Sequence, residues 1–355
     1  MEIFKFVFTG GPCAGKTTII DKVKELLEED NYYVVVVPET ASELISKGII
    51  PDNDKKHTLR FQELVLETQT RKEIVAEEYC ELIKNENLKF IKDKKGIVIL
   101  YDRGIPDNRA YLTHDNYNKM LKKYNFNELA IIDKYDMVIN LVSLATTNPE
   151  LYCLDEVRYE DSSEAAYRDL LTSSAWSLHR DFKMIKPTEK IEEKILQVYS
   201  IISDKLNKKH HNSFSEYELD DTNSSFYGFN TDNSRKMKIQ QFQLETLYNS
   251  YLTLEKREYE DNISYILKKE RLTIDGILSE SKSISKKEFD YIMRNNFLSD
   301  IKEKEIINII DKGNFYSISK ENGTYKLYTD DNNINILPKN IKLKEEKTLQ
   351  KKIIW

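Results

Sequence analysis

The sequence predicts an α/β domain, with a parallel sheet covered by helices on both faces, followed by an α+β domain built as an antiparallel barrel. Over residues 1–207, short β-rich runs alternate with longer helical patterns, which is typical of a parallel sheet covered by helices. A glycine-rich turn follows the first β-rich run. Beyond Lys236 the pattern changes to the two-residue alternation of antiparallel strands.

Five apolar runs supply the candidate strands of the first sheet. Each is short, rich in β-branched or aromatic residues, and bounded by turn residues or a helical pattern. The candidate strands are Ile3–Thr9, Tyr33–Pro38, Ile97–Tyr101, Met137–Leu141 and Met184–Ile185.

The domain boundaries follow changes in composition. Residues 208–235 are rich in Asn, Ser and Asp and have no clear period, so they are expected to form a linker between domains at 1–207 and 236–355. The C-terminal domain is expected to contain strands at 239–248, 265–273, 315–319 and 325–328, with a helix at 286–295.

Composition narrows the class of protein. The 54 basic and 60 acidic residues give a formal net charge of −6, so nucleic acid is an unlikely partner. No apolar run is long enough for a transmembrane segment. Three scattered cysteines indicate reduced thiols and hence a cytoplasmic protein, with peripheral association at membranes left open.

The glycine-rich turn matches the phosphate-binding pattern G-x-x-x-x-G-K-[ST], between a strand and a helix. Its backbone amides and the following helix N-terminus would cradle a phosphate, and Lys16 would reach the β- and γ-phosphates. The predicted nucleotide-binding residues are Gly10, Gly11, Pro12, Cys13, Ala14, Gly15, Lys16, Thr17 and Thr18.

Two residues are candidate ligands of Mg²⁺. Asp102 ends a buried apolar strand, which places its carboxylate at the edge of the sheet where ligands bind. The Thr17 hydroxyl would coordinate the same ion, as the last residue of a phosphate loop does. The predicted cofactor is therefore Mg²⁺ with ATP or GTP.

Glu39 and two arginines are the remaining catalytic candidates. Glu39 follows the strand at 33–38 and could act as a general base for a hydroxyl that attacks the γ-phosphate, or could simply cap the next helix. Arg158 and Arg168 suit a lid that neutralises charge during transfer, or ordinary surface ion pairs.

These motifs together resemble the family of the TRPL translocation defect protein. The residues that carry the resemblance are Gly10–Thr18, Pro38–Ala41, Tyr101–Gly104 and Arg158–Glu160. The resemblance implies an AAA-type P-loop domain similar to nicotinamide riboside kinase and the deoxynucleoside kinases. It also implies a C-terminal module similar to the CYTH, or triphosphate-tunnel, barrel.

The resemblance further implies GTP and phosphoinositide binding in membrane trafficking. In the barrel, Arg257, Lys269 and Arg271 are candidates for an anionic ligand, with ordinary surface charges as the alternative. Gln241 and Gln243 stand where barrel enzymes of this kind carry metal-binding glutamates, which argues against triphosphate hydrolysis there.

Two functions follow from the sequence. The first is an NTPase or kinase-like phosphotransferase that acts on water or on a small hydroxylated acceptor, with Phe61, Gln62 and Asp107 near the acceptor. The second is a nucleotide-regulated switch whose C-terminal barrel binds a phosphoinositide or another anion.

Overall fold

The computed structural model describes residues 1–12, 14–51, 54–86, 88–151, 161–207, 214–219, 229, 231–244, 250–273 and 276–330. They form two compact units. The first contains Met1–Phe126 and Tyr135–Ile202. The second contains Asn127–Lys134 together with the described residues from Ser203 onwards.

The first unit is built on a five-stranded parallel sheet, as the sequence predicts, with strand order β2-β3-β1-β4-β5. The strands are β1 (Ile3–Thr9), β2 (Tyr33–Val37), β3 (Ile97–Asp102), β4 (Met137–Leu141) and β5 (Phe182–Ile185). Every residue of β3 and β4 is buried, which explains their continuous apolar sequences.

The helices of this unit follow the strands along the chain. They are α1 (Lys16–Glu29), α2 (Thr40–Ser46), α3 (Lys55–Asn85), α4 (His114–Lys123), α6 (Leu144–Thr147), α7 (Ser162–Trp176) and α8 (Ile191–Leu206), with 3₁₀ turns at Ile105–Tyr111 and Pro149–Leu151. The Asp54 carboxylate caps α3 by accepting hydrogen bonds from the amides of Lys56 and His57.

Strand register brings three loops to one edge of the sheet. Phe8 of β1 lies opposite Asp102 of β3, and Thr9 lies opposite Asn140 of β4. On the other side of β3, Val37 of β2 lies opposite Tyr101. The residues that follow β1, β2 and β3 therefore share the carboxyl edge of the sheet, where ligands of open α/β folds bind.

The second unit contains an eight-stranded antiparallel sheet in the order β10-β9-β8-β7-β11-β12-β13-β6. Its elements are α5 (Glu128–Asp133), β6 (Phe214–Glu218), β7 (Arg235–Leu244), β8 (Ser250–Tyr259), β9 (Asn262–Thr273), β10 (Gly276–Ile284), α9 (Lys286–Asn295), β11 (Leu298–Asp311), β12 (Asn314–Glu321) and β13 (Thr324–Asp330). The antiparallel sheet agrees with a barrel-like domain. Among the described residues, however, its outer strands β10 and β6 are not paired with each other.

The predicted helix of this unit agrees with the structure better than the predicted strands do. Helix α9 has the predicted bounds, because Ser285 and Glu288 form a capping box that marks its start. Strand β6 lies within residues 208–235, which were expected to be a linker. Strands β8, β10 and β11 were not predicted, because their charged residues obscure the alternation.

Buried ion pairs hold α5 to the sheet of the second unit. The Arg257 guanidinium bonds the Asp133 carboxylate, which also accepts a hydrogen bond of 2.7 Å from the Ser264 hydroxyl. The Arg235 guanidinium lies 2.7 Å from the Glu128 carboxylate, and both side chains are almost fully buried. Charges buried to this degree require such partners.

A second buried group of charges surrounds Glu255 on β8. Its carboxylate lies 2.7 Å from the Lys268 ammonium and accepts a hydrogen bond of 2.6 Å from the Gln241 amide. Burial opposes ionisation, but Lys268 and Lys304 outweigh it and lower the pKa of Glu255 to about 2. The ionised carboxylate thus balances two neighbouring ammonium groups.

We predict that Glu255→Gln destabilises the protein at neutral pH by about 3 kcal/mol, because it leaves buried ammonium groups without their counter-charge. Folding lowers the pKa of Glu255. The ionised carboxylate therefore contributes fully to the free energy of unfolding at pH values above the ordinary pKa of a glutamate, and this contribution disappears as the pH falls towards about 2. Urea unfolding of wild type and variant should therefore show a gap that closes with acidification.

The matched control is Glu303→Gln on β11, because Glu303 is exposed and meets a glutamine at 2.6 Å. Its effect should stay within about 0.5 kcal/mol. Equal stability of the Glu255 and Glu303 variants at neutral pH would contradict the role of the buried carboxylate.

Candidate functional site

The glycine-rich turn after β1 has a backbone that only glycine accommodates. Gly10 has φ +132°, and a Cβ added there would lie 2.1 Å from the Leu141 carbonyl oxygen. Gly15 has φ +78° and precedes the first residue of α1. The turn therefore packs directly against the end of β4 and presents the N-terminus of a 14-residue helix to the edge of the sheet.

Lys16 lies across the mouth of this turn. Its ammonium donates hydrogen bonds to the carbonyls of Gly10 at 3.1 Å and Gly11 at 3.0 Å. Burial and the nearby Arg103 guanidinium lower the pKa of Lys16 to about 8. A phosphate bound at the turn would place negative charge next to the buried Lys16 ammonium and stabilise its charged form. The turn is therefore electrostatically suited to bind an anion.

Asp102 meets the requirement for a cation ligand beside the turn. Burial and the neighbouring Glu39 raise the pKa of Asp102 to about 6. One of its carboxylate oxygens, Oδ1, is buried and accepts no hydrogen bond within the described residues. An orphaned carboxylate oxygen suits a hard cation such as Mg²⁺.

Thr17 could contribute the second oxygen ligand. It lies in the first turn of α1 and is exposed to solvent. No group of three or more His, Cys, Asp or Glu side chains that could hold a metal occurs in the described ranges. Thr17 and Asp102 could supply two oxygen ligands to a cation that also binds nucleotide phosphates.

Glu39 forms an ion pair with a residue that the sequence analysis did not single out. The Arg103 Nε donates to a Glu39 carboxylate oxygen at 2.5 Å, and Arg103 adopts φ +68° directly after β3. Burial opposes ionisation of Glu39, but Arg103, Ser42 and Lys16 outweigh it and lower the pKa of Glu39. Glu39 is therefore an ionised carboxylate near Lys16.

Gln69 of α3 links the two loops that carry this ion pair. Its side-chain oxygen accepts a hydrogen bond of 2.5 Å from the Thr40 hydroxyl. Its amide nitrogen donates to the Arg103 carbonyl at 3.3 Å and to the buried Glu73 carboxylate at 2.8 Å. Gln69 therefore sets the separation of the loops after β2 and β3.

Asp107, which the sequence analysis placed near the phosphoryl acceptor, is bonded to several groups of the protein itself. Its carboxylate accepts hydrogen bonds from the Thr9 hydroxyl, from the Gly104 amide at 2.9 Å and from the Trp176 indole at 3.1 Å. It also lies 3.4 Å from the Arg103 guanidinium. These contacts occupy the carboxylate.

The other expected acceptor residues, Phe61 and Gln62, lie on α3 and are buried. Of the two lid arginines, Arg158 lies outside the described residues, as does Cys13 of the turn. Arg168 of α7 donates a hydrogen bond to the Ala110 carbonyl and lies over the Tyr111 ring, with its guanidinium carbon 4.7 Å from the ring centre. These contacts hold Arg168 against the 3₁₀ turn.

Asp169 is the buried group beneath the glycine-rich turn that sequence reasoning missed. It accepts hydrogen bonds from the Gly11 amide at 2.7 Å, the Ser143 amide at 3.1 Å and the Thr146 hydroxyl at 2.6 Å. A Cβ on Gly11 would lie 2.7 Å from the Asp169 Cβ. Asp169 therefore ties α7 to the turn and to the end of β4.

Lys194 of α8 supports the opposite side of the turn. Its buried ammonium donates a hydrogen bond of 3.1 Å to the Ala14 carbonyl. Burial lowers its pKa to about 8, although the charge of Asp169 acts in the opposite direction. Nothing in the local sequence distinguishes Asp169 or Lys194 from ordinary helix charges, so only their burial identifies them.

The cations expected to bind an anion in the second unit separate into two groups. Arg257 is buried and bonded to Asp133, so the structure assigns it to an internal ion pair rather than to an open anion site. Lys269 and Arg271 are exposed on β9, two residues apart and thus on one face of the strand.

Four features together define a P-loop domain of the nucleotide-binding class. They are a parallel sheet, a glycine turn before a helix, a lysine at the mouth of that turn and an aspartate at the end of a strand. The chain belongs to the AAA domain family, whose model matches residues 5–194 and so covers more than half of its length. No curated protein sequence matches the chain.

Solved structures with similarity to the chain include three from archaea. They are the PH1819 protein of Pyrococcus horikoshii OT3 (11% identity, 35% of this chain, 82% of that chain, TM-score 0.25), a conserved hypothetical protein of Pyrococcus furiosus (9%, 35%, 83%, 0.24) and the PH1012 protein of P. horikoshii OT3 (6%, 35%, 81%, 0.25). TM-scores this low do not define a shared fold. No helix in the described ranges has the length and apolarity to cross a membrane.

We predict that Asp169→Ala weakens the P-loop, because it leaves the buried amides of Gly11 and Ser143 without acceptors. The expected loss of stability is roughly 2–6 kcal/mol, since each of the two orphaned donors costs about 1–3 kcal/mol. Nucleotide affinity should fall as well, because the turn would no longer be held in one conformation. Urea unfolding and calorimetric titration measure the two effects.

Asp169→Asn is the matched control, because it keeps the size of the side chain and one acceptor oxygen. Its loss of stability should be smaller than that of the alanine variant. Unchanged stability of the alanine variant would contradict the supporting role of Asp169.

Proposed function

We propose that the first unit is a phosphotransferase that uses a Mg²⁺-bound nucleoside triphosphate, ATP or GTP, to phosphorylate a small hydroxylated acceptor. The observation that carries the proposal is the ionised Glu39 held by Arg103 next to the P-loop lysine. A P-loop that only binds nucleotide has no need of a carboxylate and guanidinium at this position.

The donor would bind through the P-loop. The backbone amides of residues 10–18 and the N-terminus of α1 would hold the β-phosphate, with Lys16 between the β- and γ-phosphates. Thr17 and Asp102 would hold Mg²⁺, which neutralises charge on the phosphate oxygens when bound. The side chains themselves do not distinguish adenine from guanine.

Glu39 would act as the general base. Transfer of a γ-phosphoryl group passes through a loose transition state, so the acceptor hydroxyl loses its proton late and a strongly basic group is not required. A carboxylate that stays ionised and is fixed by Arg103 meets this requirement. Arg103 would in addition place positive charge next to the transferring group, a role the sequence analysis gave to Arg158 and Arg168.

We predict that Lys16→Ala abolishes measurable nucleotide binding, because it removes the only side-chain cation expected to lie between the β- and γ-phosphates. Asp102→Asn should retain nucleotide binding but lose most of its dependence on Mg²⁺, since the amide is a poor cation ligand. Calorimetric titration of each variant with ATP and GTP, with and without Mg²⁺, measures both effects.

Lys47→Ala provides a control for the removal of an ammonium group, because Lys47 caps the C-terminus of α2 and its side chain is exposed. Its affinity should equal that of wild type. Wild-type affinity in the Lys16 variant would contradict the P-loop assignment.

We predict that Glu39→Gln lowers the rate of phosphoryl transfer by about 10²–10⁴-fold while it leaves donor affinity within about threefold. The amide cannot accept the proton, but it retains the size of the side chain. The assay is a screen of nucleosides and nicotinamide riboside with γ-labelled triphosphate, followed by single-turnover kinetics on any acceptor found.

Release of inorganic phosphate is measured in the same assay, because water is the alternative acceptor. If wild-type protein binds nucleotide yet phosphorylates no acceptor and releases no phosphate, the catalytic proposal is wrong and nucleotide binding alone remains. A Glu39→Gln variant with wild-type turnover would remove Glu39 as the base.

A further inference from the structure

Helix α3 has an apolar surface on the side that faces away from the first unit. Its inward face carries buried side chains that include Leu66, Cys80 and Ile83. Ile74, Val75, Tyr79 and Leu82 are instead 49%, 66%, 42% and 51% exposed. An exposed helix face is ordinarily polar, so these side chains require an explanation.

Val75, Tyr79 and Leu82 belong to one continuous strip, and Ile74 lies beside it. At about 100° per residue, Arg71, Val75, Glu78, Tyr79, Leu82 and Glu86 fall within an arc of about 100°, opposite the buried face. We call these six residues, of which Glu86 caps the C-terminus of the helix, the outer strip of α3. The strip continues sideways through Tyr33, whose hydroxyl lies 3.3 Å from that of Tyr79, to the half-exposed ring of Phe90.

The charges of the outer strip are unused within the described part of the chain. Arg71, near its N-terminal end, and Glu78 and Glu86, at its centre and C-terminal end, are all exposed. None of the three has an ion pair or a side-chain hydrogen bond in those residues. Most of the other charged residues of α3 do form such contacts, for example Arg60 with Glu63 and Lys84 with Glu81.

The outer strip is complementary to itself in the antiparallel direction. In two antiparallel helices the numbers of facing residues have a constant sum, and a sum of 157 pairs Arg71 with Glu86 and Val75 with Leu82. The same sum places Glu78 and Tyr79 at the height of the two-fold axis, on opposite edges of the strip, so the Glu78 carboxylates of the two copies lie along one edge and the Tyr79 rings along the other. A two-fold axis through the middle of the strip would therefore join opposite charges at both ends and Val75 with Leu82 between them, with the two Glu78 carboxylates on one solvent-exposed edge.

We propose that the outer strip of α3 is a self-association surface that binds the same strip of a second copy of the chain, with the two helices antiparallel. Each dimer then contains two Arg71–Glu86 pairs and two Val75–Leu82 contacts around the symmetry axis. The area of one helix face, extended by Tyr33 and Phe90, is small for a specific protein–protein interface. Association is therefore expected to be weak and to depend on protein concentration.

Charge reversal tests the pairing directly. Arg71→Glu brings two carboxylates together at both ends of the dimer, and Glu86→Arg brings two guanidinium groups together there, so each variant should associate at least tenfold more weakly than wild type. The double variant R71E/E86R restores opposite charges and should recover association. Sedimentation velocity over about 1–200 µM protein without nucleotide covers the range of a small interface.

Mixing the two single variants gives the sharpest result. In a dimer of one R71E chain with one E86R chain, the two substituted residues form an opposite-charge pair at one end, and the two native residues form such a pair at the other end. The mixture should therefore associate more strongly than either variant alone. Lys119→Glu on α4 is the matched control, because it reverses an exposed charge of the same unit outside the strip and should leave association unchanged.

Three outcomes would overturn the proposal. They are monomeric wild-type protein throughout the concentration range, failure of both the double variant and the mixture to associate, and association that survives V75D/L82D, which would place the contact elsewhere. Circular dichroism of every variant checks that α3 is intact. A lack of nucleotide binding or of phosphoryl transfer would not affect these results, so the two proposals fail separately.

Discussion

The close approach of the P-loop backbone to its supports is the constraint on which the candidate site depends. Gly10 lies so near the Leu141 carbonyl, and Gly11 so near Asp169, that neither position has room for a side chain. This contact fixes the turn against β4 and α7, while Lys194 holds the Ala14 carbonyl from the side of α8. The amides that would face a phosphate are thereby preorganised by three separate elements.

The charges at the edge of the sheet form a balanced group rather than a simple positive cradle. Lys16 and Arg103 are interleaved with Glu39 and Asp102, and each shifts the pKa of its neighbours. The Arg103 guanidinium helps to lower the pKa of Glu39, whereas burial and the charge of Glu39 raise the pKa of Asp102. The same few side chains thus lie together at one place, where the proposed phosphate site, cation ligand and base would adjoin one another.

Helix α3 connects the site to the outer surface of its unit. Its inward side carries Gln69, which joins the loops after β2 and β3, and Glu73, to which the Gln69 amide and the Tyr135 hydroxyl both donate. Its outward side carries the apolar strip. Because one rigid helix has both faces, residues that support the site and residues proposed for self-association occur in the same stretch of sequence.

The sequence by itself determined the local features of this protein. It located all five parallel strands, the bounds of α9, the glycine turn, Lys16 and the strand-end Asp102, because hydrophobic period, glycine and capping residues act over short distances. Three contacts became evident only in the tertiary structure. They are the ion pair of Arg103 with Glu39, the hydrogen bond from the Gly11 amide to Asp169 and the ion pair of Arg257 with Asp133. Those partners are 64, 158 and 124 residues apart along the chain, and a charged residue carries no local signal that tells which distant partner will bury it.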